Sequence, residues 1–85
     1  MQAQTPTALV VEDDAALRML VRVNLELEGF AVEEAGTLDE AEAVLARMRP
    51  YVVLLDVHLD GRETLGLLAR LRAEGVPVAG LGFEP

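Results

Sequence analysis

Two acidic clusters at the ends of apolar segments are the residues of this sequence best suited to chemistry. Glu12 and Asp13 directly follow the apolar run 8–11, and Asp56 directly follows the apolar run 51–55. If both runs are strands of one parallel sheet, their carboxyl ends meet at the same edge and the acids converge. Three close carboxylates repel one another and stay ionised only when a cation neutralises them. Mg²⁺ suits such oxygen ligands, and a carboxylate beside it can attack a phosphoryl group to form an acyl phosphate.

A structural alternative explains the same acids without chemistry. Asp13 and Asp14 can each cap the helix that follows by accepting its first N–H groups, and Asp56 can simply end a strand. A single acidic pair would favour this alternative. Two clusters at matching strand ends favour the metal site.

Composition sets limits on the partners and the location of the chain. The 85 residues are enough for one small domain, 52% of them are apolar, and the net charge is −8, with seven arginines and no lysine. Phosphate binding needs a basic face, so no nucleic-acid partner is expected. The absence of cysteine excludes disulfides and thiolate metal sites. Without a signal peptide or a membrane-length apolar run, a cytoplasmic protein without membrane contact is expected.

Four segments have the composition of strands in a parallel sheet. Continuous apolar runs are typical of strands that are covered on both faces. Glu33 and Glu34 interrupt the second segment, which is therefore expected at a sheet edge, whereas the third and most apolar segment is expected at the centre. The predicted strands are residues 8–11, 30–35, 51–57 and 76–81.

Three intervening segments have the spacing and the end signals of helices. Gly29 and Gly75 are suited to end the first and the third, and Pro50 stops the second. Thr37 and Glu40 form a capping box at the start of the second helix. The alternation of strands and helices predicts an α/β fold with right-handed crossovers. The predicted apolar stripes are Leu17, Leu20, Val21 and Leu25; Ala41, Val44, Leu45 and Met48; and Leu65, Leu68 and Leu71 together with Leu67.

Several stretches taken together resemble the receiver domain of two-component response regulators. The resemblance runs from residue 8 to about residue 81. Its matching stretches are residues 9–14, the first helix, which bears Arg18 and ends at residues 28–30, and residues 54–61 and 71–78. It implies a flavodoxin-like fold: a five-stranded parallel sheet in the order 2-1-3-4-5, flanked by helices. It also implies a signalling module, not an enzyme. Residues 1–6 are predicted to be a flexible leader, and residues 7–85 are predicted to be a truncated receiver domain.

The resemblance assigns roles to the acidic residues. Asp56 would be the phospho-acceptor, and the phosphoryl donor would be a histidine kinase or a phosphotransfer protein. Mg²⁺ would be held by Glu12, Asp13, Asp56 and the backbone carbonyl of His58.

The sequence departs from the family pattern in its last third. The family carries a Thr or Ser after the fourth strand and a Lys after the fifth; residues 78–83 contain no hydroxyl, and the sequence contains no lysine. Arg18 and Arg62 are candidates to replace the lysine, although solvated surface positions are favoured for both. Thr64 is predicted to cap the third helix and is a poor substitute for the switch hydroxyl. Phosphorylation is therefore expected to be impaired.

The sequence is also expected to lack the last strand and the last two helices of the fold. The open fourth strand would then pair with another chain and give a homodimer or a higher oligomer. One alternative function is thus a phosphorylation-independent interaction module that self-associates through this edge. Another is a fragment without a function of its own. The residues expected to be partly bare are Val76, Val78, Leu81 and Phe83.

Overall fold

A computed structural model of the chain describes residues 5–56 and 61–81, with only the backbone described for residues 61–63. Within these residues, four strands alternate with three helices, as predicted. The elements are β1 (Thr7–Val11), α1 (Ala15–Leu27), β2 (Ala31–Ala35), α2 (Leu38–Arg47), β3 (Val52–Leu55), α3 (Gly61–Ala73) and β4 (Val78–Gly80). No helix in the described part of the chain is both long and apolar enough to cross a membrane.

All the strands run parallel in one sheet of order β2-β1-β3-β4. This order confirms the predicted edge position of β2 and the predicted inner position of β3. On β1, Val11 lies opposite Ala35 of β2 and Leu55 of β3. The chain leaves β1 towards β2 on one side and later enters β3 on the other, so the strand order reverses at β1. The carboxyl edge next to β1 is therefore the switch point at which open α/β sheets bind ligands.

The main core lies between one face of the sheet and the helices α2 and α3. Alternate strand residues share a face, so Leu9 and Val11 join this core whereas the fully buried Ala8 and Val10 point to the opposite face. The helix α1 packs against β1 and β2 but contains no buried residue. The core residues are Leu9, Val11, Ala35, Ala41, Val44, Val53, Leu55, Leu67, Leu71 and Val76.

The buried face of α3 differs from the predicted stripe. Leu67 and Leu71 are buried as expected, but Leu65 is 64% exposed and Leu68 only half-buried. The third position of the buried face is Thr64, which lies inside the helix and is not its cap. The prediction of a capping role was therefore wrong. The leucines of α3 fit the apolar spacing of two neighbouring helix faces, one through Leu67 and Leu71 and the other through Leu65 and Leu68. The sequence alone does not decide which of these faces is buried.

Exposure also differs from expectation at two other positions. Leu20 is expected to face the core but is 58% exposed. The apolar residues of α1 that are half-buried are Leu17, Val21 and Leu25, and Leu20 lies outside this group. Val76 was predicted to be partly bare and is only 4% exposed, since it belongs to the main core. Val78 and Leu81 are half-buried, and Phe83 lies outside the described residues.

The helix ends carry the predicted residues, but one capping hydrogen bond is shifted by one residue. Gly29 and Gly75 lie two residues past the ends of α1 and α3 and have φ angles of 97° and 75°, a conformation that glycine adopts without steric cost. Thr37 caps α2 by accepting the N–H of Glu40 at 3.1 Å. The Glu40 carboxylate accepts the N–H of Gly36, one residue before the position expected for a capping box.

The predicted leader remains a prediction, because residues 1–4 lie outside the described part. Thr5 and Pro6 are exposed, and the carbonyl of Pro6 accepts the N–H of Ala31 at 2.9 Å.

The two faces of α3 predict very different costs for removing a leucine. Leu71→Ala should lower the free energy of unfolding by about 2–5 kcal/mol, because it leaves a cavity in the main core. Leu65→Ala is the matched control on the exposed face and should change it by less than about 0.5 kcal/mol. Urea unfolding of both variants measures the difference. Equal losses would contradict the observed rotation of α3.

Candidate metal centre

Three carboxyl groups converge at the switch point of the sheet. Glu12, Asp13 and Asp56 each offer a carboxylate oxygen, and these oxygens all lie within 4.8 Å of one another. Glu12 is 2% exposed and Asp56 is 6% exposed, whereas Asp13 is exposed to solvent. The structure thus brings together the three side chains that the sequence predicted as metal ligands.

Strand pairing places Glu12 and Asp56 next to each other. The N–H of Glu12 donates to the carbonyl of Ala35 at 3.0 Å, and the N–H of Asp56 donates to the carbonyl of Val11 at 3.0 Å. The ladder therefore continues one step past Val11 and fixes the backbone of both acids. Their side chains reach the same point because equivalent residues of neighbouring parallel strands point to the same side.

The acid that follows this cluster has a structural role. The Asp14 side chain accepts the N–H groups of Ala16 and Leu17 at 2.9 and 3.0 Å, and it is the N-cap of α1. Its own N–H donates to the Glu12 carboxylate at 3.0 Å. The structural alternative is therefore correct for Asp14, and this leaves Asp13 available to the acidic cluster.

Burial perturbs the titration of Glu12. Loss of hydration raises its pKa from the ordinary value of 4.5 to about 7. Hydrogen bonds with the carboxyl groups of Asp13 and Asp56 and repulsion by the charge on Asp56 act in the same direction, while the N–H of Asp14 acts against them. A divalent cation bound among these carboxyl groups would favour their ionised form.

The donor set fits Mg²⁺. All three side-chain ligands are carboxylate oxygens, which this hard ion prefers, and the exposure of Asp13 leaves one side open for waters or a phosphoryl oxygen. His58, whose carbonyl was the fourth predicted ligand, lies outside the described residues.

Arg18 has a role that the sequence did not reveal. Its Nη1 donates to the backbone carbonyl of Glu12 at 2.7 Å, and its Nε lies 3.3 Å from the Glu34 carboxylate. It is therefore neither a solvated surface residue nor free to replace a lysine. Helical spacing showed only that Arg18 lies off the apolar stripe. The other candidate, Arg62, has no described side chain.

Comparison with known proteins agrees with the fold. The family model described as "Response regulator receiver domain" matches residues 8–82. The probable transcriptional regulatory protein TcrX of Mycobacterium tuberculosis is 42% identical over 77 residues, which cover 88% of this chain and 33% of that protein. The phosphate regulon transcriptional regulatory protein PhoB of Rhizobium meliloti is 45% identical over 67 residues, which cover 79% of this chain and 30% of that protein.

Solved structures show the same architecture. The crystal structure of a response regulator from Thermotoga maritima superposes with a TM-score of 0.79 at 35% identity, covering 91% of this chain and 66% of that one. The sheet order β2-β1-β3-β4 is thus that of a receiver domain. This chain belongs to the response regulator receiver family.

The family carries known chemistry but leaves the role of the whole protein open. Receiver domains are signalling modules that histidine kinases or phosphotransfer proteins phosphorylate, and they bind Mg²⁺ at the acidic pocket. The chain spans about a third of the length of the curated relatives that it matches. Both relatives are named as transcriptional regulatory proteins, so the expectation of no nucleic-acid partner, drawn from composition, has no support from them.

The raised pKa of Glu12 predicts how stability depends on pH in the absence of metal. Below pH 4.5 this carboxyl is protonated in both states, and its stabilising contribution is fully present. Between pH 4.5 and about 7 the folded chain keeps a proton that the unfolded chain has lost, so stability falls as the pH rises and levels off above about 7. Glu12→Gln should remove this fall, which amounts to at most about 3 kcal/mol.

Urea unfolding in EDTA, from about pH 4 to about pH 8, measures this dependence. Glu28→Gln, at an exposed position just after α1, is the control for the change in net charge. Parallel stability curves for the wild type and Glu12→Gln would show that Glu12 does not carry the effect.

Proposed function

We propose that this chain is a phospho-accepting receiver of a two-component phosphorelay, with Asp56 as the acceptor. The observation that carries the proposal is the convergence of Glu12, Asp13 and Asp56 at the switch point of a receiver-family sheet. Asp56 is the one of the three that directly follows β3, and the family resemblance assigns the acceptor there. We place the exchange in the cytoplasm, where members of this family typically act.

Each acidic residue has a distinct part in the proposed transfer. A carboxylate oxygen of Asp56 attacks the phosphorus and forms an acyl phosphate. The phosphorus–nitrogen bond to the donor histidine breaks, and its electron pair stays with the leaving imidazole. Glu12 and Asp13, together with Asp56 and the carbonyl of His58, would hold Mg²⁺, which when bound offsets the negative charge on the phosphoryl oxygens.

The sequence indicates that this transfer is slow. The N–H of Leu81 donates to the carbonyl of Leu55, so the segment after β4 lies beside the end of the acceptor strand. The family places its Thr or Ser in this region, but residues 78–83 have no hydroxyl. Each missing donor to a charge that develops in the transition state costs about 10²–10³-fold in rate by analogy with oxyanion sites.

Intact-mass analysis after incubation with Mg²⁺ and acetyl phosphate tests the proposal. We expect a single phosphoryl adduct that requires Mg²⁺ and is absent from Asp56→Asn. Asp39→Asn, which removes an exposed carboxylate in the first turn of α2, is the matched control and should retain the adduct. An adduct that persists in Asp56→Asn would assign the acceptor to another residue. No adduct on a folded wild-type protein would overturn the phospho-acceptor function.

The second candidate is an interaction module that self-associates without phosphorylation. Its supporting observation is that β4 is the outermost described strand beside β3, with Ala79 and Gly80 exposed. An exposed strand edge offers unpaired N–H and C=O groups to another chain.

For this candidate, light scattering of the 85-residue chain should report a dimer or a larger species, with or without a phosphodonor. A monomer that persists as the protein concentration is raised would exclude the module and would leave the phospho-acceptor function unaffected.

A further inference from the structure

The Arg18 side chain connects the metal centre to the neighbouring strand. Its Nη1 donates to the carbonyl of Glu12 at 2.7 Å, and its Nε pairs with Oε1 of Glu34 on β2 at 3.3 Å. The side chain is only 22% exposed. Both of its hydrogen bonds are charge-assisted, because the guanidinium is always ionised, and such bonds are stronger than neutral ones.

The carbonyl that Arg18 holds belongs to the peptide between two metal-site residues. A peptide unit is planar, so fixing the oxygen of Glu12 also fixes the N–H of Asp13. The orientation of this plane sets the two backbone angles on either side of it, ψ of Glu12 and φ of Asp13. These angles aim the Asp13 carboxylate, which is exposed to solvent and lies within 4.8 Å of the other two.

Arg18 is itself held in place by its surroundings. The second oxygen of Glu34 pairs with Nε of Arg22 at 3.1 Å, and Arg22 also pairs with Glu26 within α1. A Cβ atom at Gly36 would lie 3.1 Å from Nη1 of Arg18, so the glycine leaves room for the guanidinium. The guanidinium is thus enclosed between β1, β2 and α1 before any metal binds.

We propose that Arg18 is a positioning residue for the divalent cation, acting through the peptide between Glu12 and Asp13. This inference rests on the proposed metal site and adds a residue that touches neither the cation nor the phosphoryl group. Groups that orient metal ligands typically contribute about 10- to 100-fold in affinity. The positive charge of Arg18 acts in the opposite direction because it repels a cation. Glu34 largely compensates this charge at 3.3 Å, so the orienting effect should dominate.

The sign of the change in Mg²⁺ affinity distinguishes orientation from repulsion. Arg18→Met keeps most of the side-chain volume but removes the charge and both hydrogen bonds. Calorimetric titration of the full chain with Mg²⁺ alone should give a dissociation constant about tenfold higher than that of the wild type. If repulsion dominated, the variant would bind Mg²⁺ more tightly. Unchanged or tighter binding overturns the proposal.

Two further variants separate positioning from a general structural role. Arg22→Met also removes a partner of Glu34 but leaves the bond to the Glu12 carbonyl, so its dissociation constant should stay within about twofold of the wild type. Arg18→Lys keeps the charge and one donor and should recover part of the lost affinity. Urea unfolding without metal monitors folding for each variant. An equal loss of affinity in Arg22→Met, or no recovery in Arg18→Lys, overturns the positioning role.

The titration also distinguishes failure of the inference from failure of the proposed site. A wild-type chain that binds no Mg²⁺ would overturn the metal site itself. A wild type that binds while Arg18→Met binds equally well would overturn only the role of Arg18. If Arg18→Met does not fold, Arg18→Gln, which also removes the charge and shortens the donor, is judged by the same criterion.

Discussion

The register of three parallel strands is the constraint on which the rest of this structure depends. Val11 lies level with Ala35 and Leu55, and the ladder continues by one hydrogen bond on each side to Glu12 and Asp56. A slip of one residue between β1 and β3 would turn the side chains of the shifted strand to the other face of the sheet and separate the two acids. The register is well determined, because the same slip would expose residues of the main core.

The buried carboxyl groups of the candidate metal centre lower the stability of the metal-free chain. Glu12 is almost completely buried beside two other carboxyl groups, and its raised pKa measures the free-energy cost of ionising it there. The aliphatic core between the sheet and the helices α2 and α3 offsets this cost. A cation bound by these acids would offset the penalty, and its binding free energy would then add to the stability of the fold.

Much of the fold and the acidic cluster could be predicted from the sequence because the signals are local. The strands follow from continuous apolar runs, and the helix ends follow from Gly29, Gly75 and Thr37. Parallel topology then brings the carboxyl ends of the strands together. The rotation of α3 could not be predicted, since its leucines are compatible with two faces and Thr64 does not register as apolar. The contacts of Arg18 depend on where α1 lies relative to β2, a tertiary relation that no local pattern encodes.

The helix α1 joins the sheet differently from the other two helices. It has no buried residue, and Met19, Leu20, Val23 and Leu27 are exposed. Its hydrogen bonds and ion pairs to the rest of the chain involve Glu34 and residues 12–14, at the end of the helix next to the candidate metal centre. Elements with few buried apolar contacts open at lower free energy than the rest of a domain. The amide hydrogens of α1 should therefore exchange with solvent by local opening, and a cation bound by Glu12 and Asp13 would be expected to slow that exchange.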